Sequence, residues 1–282
     1  VKRSCYFHAG CPDGFGAAWA VWRAWGEDSR YVARGHEDGL DPRAHEGEVV
    51  VFVDIAPPPE SLAELSELAA QLVVLDHHVS ARDRFAACGG LDAAHARRGH
   101  RIHFDLEHSG AMLAWQHFHT GEPPALLRYV EDQDLWSWRL PDSEAVNAAI
   151  GSYPRDFATW DALAARPSAE LAAEGLPILR ANRQEVERAL QAAAPVAIGQ
   201  RRAEAVNART LRAQIGHALA ERASFGVPWG VVYRIHADRV DVSLYSIGEL
   251  DVASVAARYG GGGHRNAAGF TIPLRRWLEE FV

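Results

Sequence analysis

The chain has 282 residues, 48% of them hydrophobic, and a formal charge of −8. That is enough apolar sequence for one large core or two modest ones, and no apolar run reaches the roughly 18–20 residues that cross a bilayer. Lys2 is the single lysine, which excludes a Walker-type phosphate loop and an internal Schiff-base lysine.

Cys5, Cys11 and Cys88 are an odd, widely spaced set, which argues against a disulfide framework and for a reducing compartment. With no basic-then-apolar leader, a soluble cytoplasmic protein without a membrane partner is expected. A start at Val1 is also compatible with a removed upstream segment. The charge is uneven: Val196 to Val282 carries 11 arginines against 8 acidic residues, net +3, leaving −11 on the rest. An acidic first part suits metal cations and a mildly basic second part suits an anionic substrate, although a solvated surface of mixed charge explains the same numbers. Neither part is basic enough to hold long nucleic acid by charge alone.

In chain order, Arg3-Ser4-Cys5-Tyr6-Phe7-His8 reads as a short buried strand ending on a histidine. A Gly- and Pro-rich turn, Ala9 to Gly16, leads into an apolar helix from Ala17 to Trp25, stopped by Gly26. Glu27 to Glu48 reads as a loop. Val49 to Asp54 is a second strand, and Leu62, Leu65, Leu68 and Leu72 recur at helical spacing. Leu72-Val73-Val74-Leu75 then runs into Asp76-His77-His78, with turn-forming residues at Val79 to Asp83 and a loop from Ala86 to His103. Strand, helix, strand, helix, strand predicts an α/β domain with a parallel sheet. In such a sheet the carboxyl ends of neighbouring strands face one crevice, so His8, Asp54 and Asp76-His77-His78 can converge.

Ser109 is a plausible cap for a helix from Ala111 to His119. Pro123-Pro124 opens another that ends in Glu131-Asp132-Gln133-Asp134. Acidic residues at a helix carboxyl end oppose the macrodipole unless a cation is near. Ala162 to Ala194 reads as a helical linker interrupted at Pro177 and ended by Pro195. Beyond it, Val227 to Tyr233 and Val240 to Tyr245 read as strands, and Val252 to Tyr259 as a helix. The run Gly260-Gly261-Gly262-Gly263-His264-Arg265 is either a flexible loop or a place where bare amides approach a ligand. The expected boundaries are 1–160 for the first domain, 161–195 for the linker and 196–282 for a smaller α/β domain.

A hard divalent cation takes carboxylates, with imidazole increasingly suitable toward Mn²⁺. His8, Asp13, Asp54, His77 and Asp134 supply both donor types. Two ions about 3.5–4 Å apart require a bridging carboxylate, and Asp54, at the end of a central strand, is the candidate. Asp76 suits the support of a histidine by hydrogen bonding, leaving His78 to meet a phosphate oxygen. His264 and Arg265 offer charge and hydrogen bonds to phosphate.

In this order, His8 with Asp13, Asp54, Asp76-His77-His78, Asp134 and the stretch Gly260 to Phe270 resemble the DHH phosphoesterase superfamily, in particular its members with an appended DHHA1 domain. The resemblance covers nearly the whole chain. It implies a two-domain phosphohydrolase with a two-ion, usually Mn²⁺, centre in the first domain and a phosphate- or nucleotide-binding glycine loop (Gly261, Gly262, Gly263) in the second. It also implies a metal ligand in His77 and a substrate-facing His78. Many relatives carry D-x-D in the first motif, and here Cys11-Pro12-Asp13 places a cysteine at the first position. A thiolate is a softer ligand that shifts preference toward Zn²⁺ or Co²⁺ or leaves one site weak. Ser243-Leu244-Tyr245-Ser246 resembles a segment with arginine in place of Tyr245, which could instead stack on a base. Asp132 and Asp134 compete for the fourth motif, and the Asp-x-Trp context favours Asp134.

The expected activity is metal-dependent hydrolysis of short oligonucleotides or small dinucleotides to mononucleotides, with Mn²⁺ as cofactor and Mg²⁺, Co²⁺ or Zn²⁺ as alternatives. A homodimer is one expected assembly. The rival activities are a 5′-to-3′ single-strand exonuclease and a phosphoanhydride or polyphosphate phosphatase. A silent nucleotide-binding protein is the alternative without turnover.

Overall fold

Strands β1 (Arg3–His8), β2 (Arg30–Arg34), β3 (Val49–Val53), β4 (Gln71–Asp76) and β5 (Arg101–Phe104) form a parallel sheet in the order β2-β1-β3-β4-β5. The computed structural model describes residues 1–35, 38–87 and 99–282, so Cys88 and the middle of the expected 86–103 loop lie outside the described residues. The period-2 alternation of a strand sends Cys5, Phe7, Val51, Val53, Val73 and Leu75 into one apolar core and Tyr6, Val50, Phe52, Leu72 and Val74 into another. Both faces are covered, which is why these strands read as continuous apolar runs.

The first core is closed by α1 (Pro12–Trp25), and α2 (Pro59–Leu68) packs on the second. Helix α3 (Val79–Ala87) follows β4, and α4 (Gly110–Phe118), α5 (Ala125–Asp134), α6 (Ser143–Ser152) and α7 (Phe157–Ala164) extend the first core. Two readings are corrected here. The 27–48 loop contains β2, an edge strand whose partly exposed Arg-Tyr-Val-Ala-Arg pattern hides its periodicity. The polar residues from Val79 to Asp83 open α3 rather than a turn.

The chain divides into two units, Val1–Leu179 and Arg180–Val282. Helix α8 (Ser168–Gln191) runs through the boundary and through Pro177 without the expected interruption. On its first half Leu171, Ala172 and Gly175 are buried, and a side chain at Gly175 would collide with the Ala145 carbonyl of α6. That close packing accounts for a helix that continues across a residue lacking an amide proton.

In the second unit β6 (Ala194–Ile198), β7 (Arg201–Asn207), β8 (Trp229–His236), β9 (Arg239–Ser246), β10 (Gly262–His264) and β11 (Ala267–Pro273) form a sheet ordered β10-β11-β9-β8-β7-β6. It is antiparallel except for the β7–β8 pair. Helix α9 (Arg212–Arg222) covers one face through Ile215 and Leu219; α10 (Val252–Ala257) and α11 (Leu274–Glu280) contribute Val252, Ala256 and Trp277 to the other core. No described helix is long and apolar enough to cross a membrane.

Candidate metal centre

In the first sheet the chain order reverses between β1 and β3, the place where open α/β sheets leave a crevice beyond their strand ends. His8 ends β1, Asp54 follows β3, and Asp76 ends β4. Asp54 adopts φ 57°, a left-handed backbone uncommon outside glycine, and its amide donates to the Leu75 carbonyl at 2.9 Å. The kink turns the Asp54 side chain across the strand ends. Oδ1 lies 3.0 Å from His77 Nε2, and Oδ2 lies 3.5 Å from His8 Nδ1 and 3.3 Å from Cys11 Sγ.

Asp13 reaches the same place from the first turn of α1. Its Oδ2 is 3.6 Å from His77 Nε2 and accepts the Gly110 amide at 2.7 Å, while Oδ1 accepts the Ala111 amide at 3.0 Å. A carboxylate at the amino end of α4 suits the helix dipole. The Asp134 Oδ2, from the end of α5, is also 3.6 Å from His77 Nε2. Three carboxylates therefore surround one imidazole.

Asp76 stands behind this group. Its Oδ1 accepts from the amides of His77 and His78 at 2.8 and 3.2 Å and from His78 Nδ1 at 2.7 Å. A carboxylate can only accept, so His78 carries its proton on Nδ1 toward Asp76.

The electrostatics follow from burial and crowding. Burial, with Asp54 and Asp134 alongside, pushes the Asp13 carboxyl well above the usual range, and burial also raises Asp134. Burial opposes the charge on Asp54 too, but His77 and His8 outweigh it and hold Asp54 well below its ordinary value. Burial would lower His77 and His78; Asp54, Asp134 and Asp13 raise His77 well up, and Asp76 raises His78. Burial and the three carboxylates push the Cys11 thiol well up. Asp134 Oδ2 is buried without a hydrogen-bond donor among the described residues. Too many buried acidic oxygens for the available protons is an arrangement that a divalent cation satisfies, and the O and N donor set fits Mn²⁺ or Mg²⁺.

Asp132, the other acidic residue considered for the fourth motif, meets backbone amides of the following turn. Its two oxygens accept the amides of Arg139 and Leu140 at 2.9 and 3.2 Å, shaping the turn that contains Trp136 and Trp138. Gly110 went unrecognised in the sequence beyond its place at a helix start. A side chain there would collide with the Asp54 Cβ and sit 2.9 Å from Asp13 Oδ2. The small residue directly after the Ser109 cap is the one local hint.

In the second unit, Gly262–His264 pairs with Ala267–Gly269 and is a strand, not a flexible loop. A side chain at Gly261 would strike the Gly269 carbonyl, and one at Gly263, with φ 140°, would lie 2.6 Å from the Ala267 carbonyl. Close approach of the chain to itself thus accounts for these two glycines. Arg265 bonds the exposed carboxylate of Glu249 at 2.5 Å. The Tyr245 ring packs onto Gly216 of α9, where no side chain would fit.

Residues 197–282 match the family model of the DHHA1 domain. An uncharacterised protein of Acanthamoeba polyphaga mimivirus is 23% identical over 290 aligned positions, covering 94% of this chain. The chain spans 66% of that relative's length. Among solved structures, a pGpG-specific phosphodiesterase, PggH, from Vibrio cholerae aligns over 99% of this chain and 94% of its own at 13% identity and TM-score 0.44. An exopolyphosphatase-related protein from Bacteroides fragilis aligns over 95% and 86% at 13% identity and TM-score 0.43. RecJ from Thermus thermophilus, in complex with Mg²⁺, aligns over 99% of this chain and 48% of its own at 14% identity and TM-score 0.39. The chain is thus similar to the DHHA1 family over residues 197–282, and the Asp76-His77-His78 triplet lies at the end of a central strand in the unit ahead of that stretch.

Proposed function

We propose that the protein is a divalent-cation-dependent phosphodiesterase that hydrolyses short oligonucleotides or small dinucleotides to mononucleotides. The observation that carries this reading is the placement of Asp54, whose two oxygens face two different donor groups: His8 and Cys11 on one side, His77 with Asp13 and Asp134 on the other. Those residues would hold a pair of cations, with Mn²⁺ the favoured ion. Bound cations supply a water acidic enough to attack at neutral pH and neutralise the charge on phosphoryl oxygens.

The chain's own residues do the rest. Asp76 fixes the His78 ring through Nδ1 and favours its charged form, so Nε2 is the atom that meets a phosphate oxygen or hands a proton to the leaving oxygen. In the second unit Arg265 and His264 are the proposed substrate contacts. Exchanging Glu249 for a phosphate costs Arg265 little, because exposed ion pairs are weak. The net charge of −8 favours short substrates, since a long strand calls for a basic track.

The test is hydrolysis of 5′-labelled RNA and DNA ladders by metal-stripped protein supplied with single metals. Cleavage confined to the shortest species with Mn²⁺ is the expected result. Degradation of long strands would replace this reading with an exonuclease, and absence of cleavage with every metal would overturn it.

A further inference from the structure

We infer that the two halves of this centre select different ions, and that Cys11 makes the half it shares with His8 and Asp54 a thiophilic site for Zn²⁺ or Co²⁺. The inference rests on the reading of this cluster as a metal centre and goes beyond it.

The two donor sets differ in kind. Around His77 Nε2 stand Oδ1 of Asp54 at 3.0 Å and Oδ2 of Asp13 and of Asp134, each at 3.6 Å. That is one nitrogen with three carboxylate oxygens, a hard set. On the other side stand Cys11 Sγ, His8 Nδ1 and Asp54 Oδ2, one sulfur, one nitrogen and one oxygen. Soft thiolate selects Zn²⁺ and similar ions over Mg²⁺ and Mn²⁺.

The geometry agrees with the chemistry. Sulfur to nitrogen is 3.4 Å, sulfur to oxygen 3.3 Å and nitrogen to oxygen 3.5 Å, a nearly equilateral triangle. In a tetrahedral zinc site with bonds of about 2.0–2.3 Å, neighbouring ligands are about 3.3–3.7 Å apart. Adjacent ligands of an octahedral Mg²⁺ with bonds of about 2.0–2.1 Å are closer, at about 2.9 Å. The triangle has the size of one face of such a tetrahedron.

Local structure holds the sulfur in place. Cys11 caps α1, accepting the Gly14 amide at 3.2 Å, and Gly14 cannot gain a side chain without meeting the His8 carbonyl. His8 and Cys11 are thereby fixed relative to each other through the tight turn between β1 and α1. In the metal-free protein the thiol donates to Asp54 Oδ2. As a metal ligand the sulfur would give up that proton to solvent.

Cobalt substitution of the metal-stripped full chain tests this without reference to turnover. Bound Co²⁺ is counted by elemental analysis while the near-ultraviolet sulfur-to-cobalt charge-transfer band is recorded. The wild type is expected to develop that band with one of its bound equivalents. One equivalent of Zn²⁺ should abolish the band while a second Co²⁺ remains. Cys11→Asp should still bind cobalt but lack the band, with its Zn²⁺-over-Mn²⁺ preference reduced by about tenfold or more. Cys88→Ser should keep the band, and Cys5 is fully buried within the sheet. Cobalt bound without a charge-transfer band, or a band that survives in Cys11→Asp, would reduce the thiol to a helix cap and overturn the inference while leaving the metal centre standing. No bound cobalt at all would overturn both.

Discussion

The Gly110 amide donates to Oδ2 of Asp13 at 2.7 Å, joining residues 97 positions apart. The bond seats the start of α4 on the first turn of α1 and fixes that same oxygen 3.6 Å from His77 Nε2. It exists because Gly110 has no side chain: a Cβ there would lie 2.8 Å from the Asp54 Cα and collide with its Cβ. Gly110→Ala should therefore destabilise the fold by about 1–3 kcal/mol, as overpacking does, and weaken Mn²⁺ binding beyond that. Thermal melts with and without Mn²⁺ check it; an unchanged metal-induced rise in Tm would show that Gly110 does not shape the centre.

Asp132 and Asp134 are two residues apart and should respond oppositely. Asp134 Oδ2 is buried without a hydrogen-bond donor among the described residues, and burial raises its carboxyl more than His77 lowers it, so Asp134→Asn removes a buried charge that costs stability when no metal is supplied. A gain of about 0.5–2 kcal/mol is expected, with loss of the stabilisation that Mn²⁺ confers. Asp132→Ala removes the acceptor for two backbone amides and should cost about 1–3 kcal/mol without abolishing metal binding. Denaturant melts of both variants decide, and an exchange of these two behaviours would reassign the ligand.

Asp76 acts through His78. Asp76→Asn keeps the shape but gives up the anion that orients and charges the imidazole. Turnover should fall about 10–100-fold while the number of bound ions stays the same. Loss of an ion in this variant would make Asp76 a support of the metal site rather than of the substrate contact.

On the other face of the sheet, Ser4 and His45 both hydrogen-bond Glu48 Oε2 at 2.9 Å. Burial opposes the Glu48 charge, but these partners outweigh it and hold its carboxyl below the ordinary 4.5. A carboxyl lowered on folding contributes stability that is complete above its unfolded value and is lost as pH falls through its lower folded value. Glu48→Gln should therefore cost about 1–2 kcal/mol at neutral pH and flatten the acid limb of stability below about pH 4.5. Urea midpoints of both proteins between pH 3 and 7 measure the difference, and parallel acid limbs would contradict this account of Glu48.

What could be read beforehand follows physical lines. The strands ending at His8, Asp54 and Asp76 were legible because a parallel strand covered on both faces is a continuous apolar run, and a strand end is where such a sheet places polar groups. Strand β2 was not legible, since an edge strand half open to solvent alternates Arg, Tyr and Val much as a loop does. The turn before α1 concealed a helix start: Pro12 suits the first helical position, where its missing N–H is no loss. Gly110 was invisible as a site residue because the atoms that exclude a side chain come from Asp54 and Asp13, far back in the chain. The glycine run drew attention for its backbone freedom, yet Gly261 and Gly263 are small because β11 approaches them.

The most direct test of the central claim, that Asp54 joins two ion sites into one hydrolytic centre, is to count the divalent ions bound per chain, with Mn²⁺ and Zn²⁺ both supplied, in the wild type and in Asp54→Ala, with dinucleotide hydrolysis measured on the same samples. Two ions and turnover in the wild type, with at most one ion and no turnover in the variant, are predicted. Two ions or sustained hydrolysis in Asp54→Ala would contradict the account.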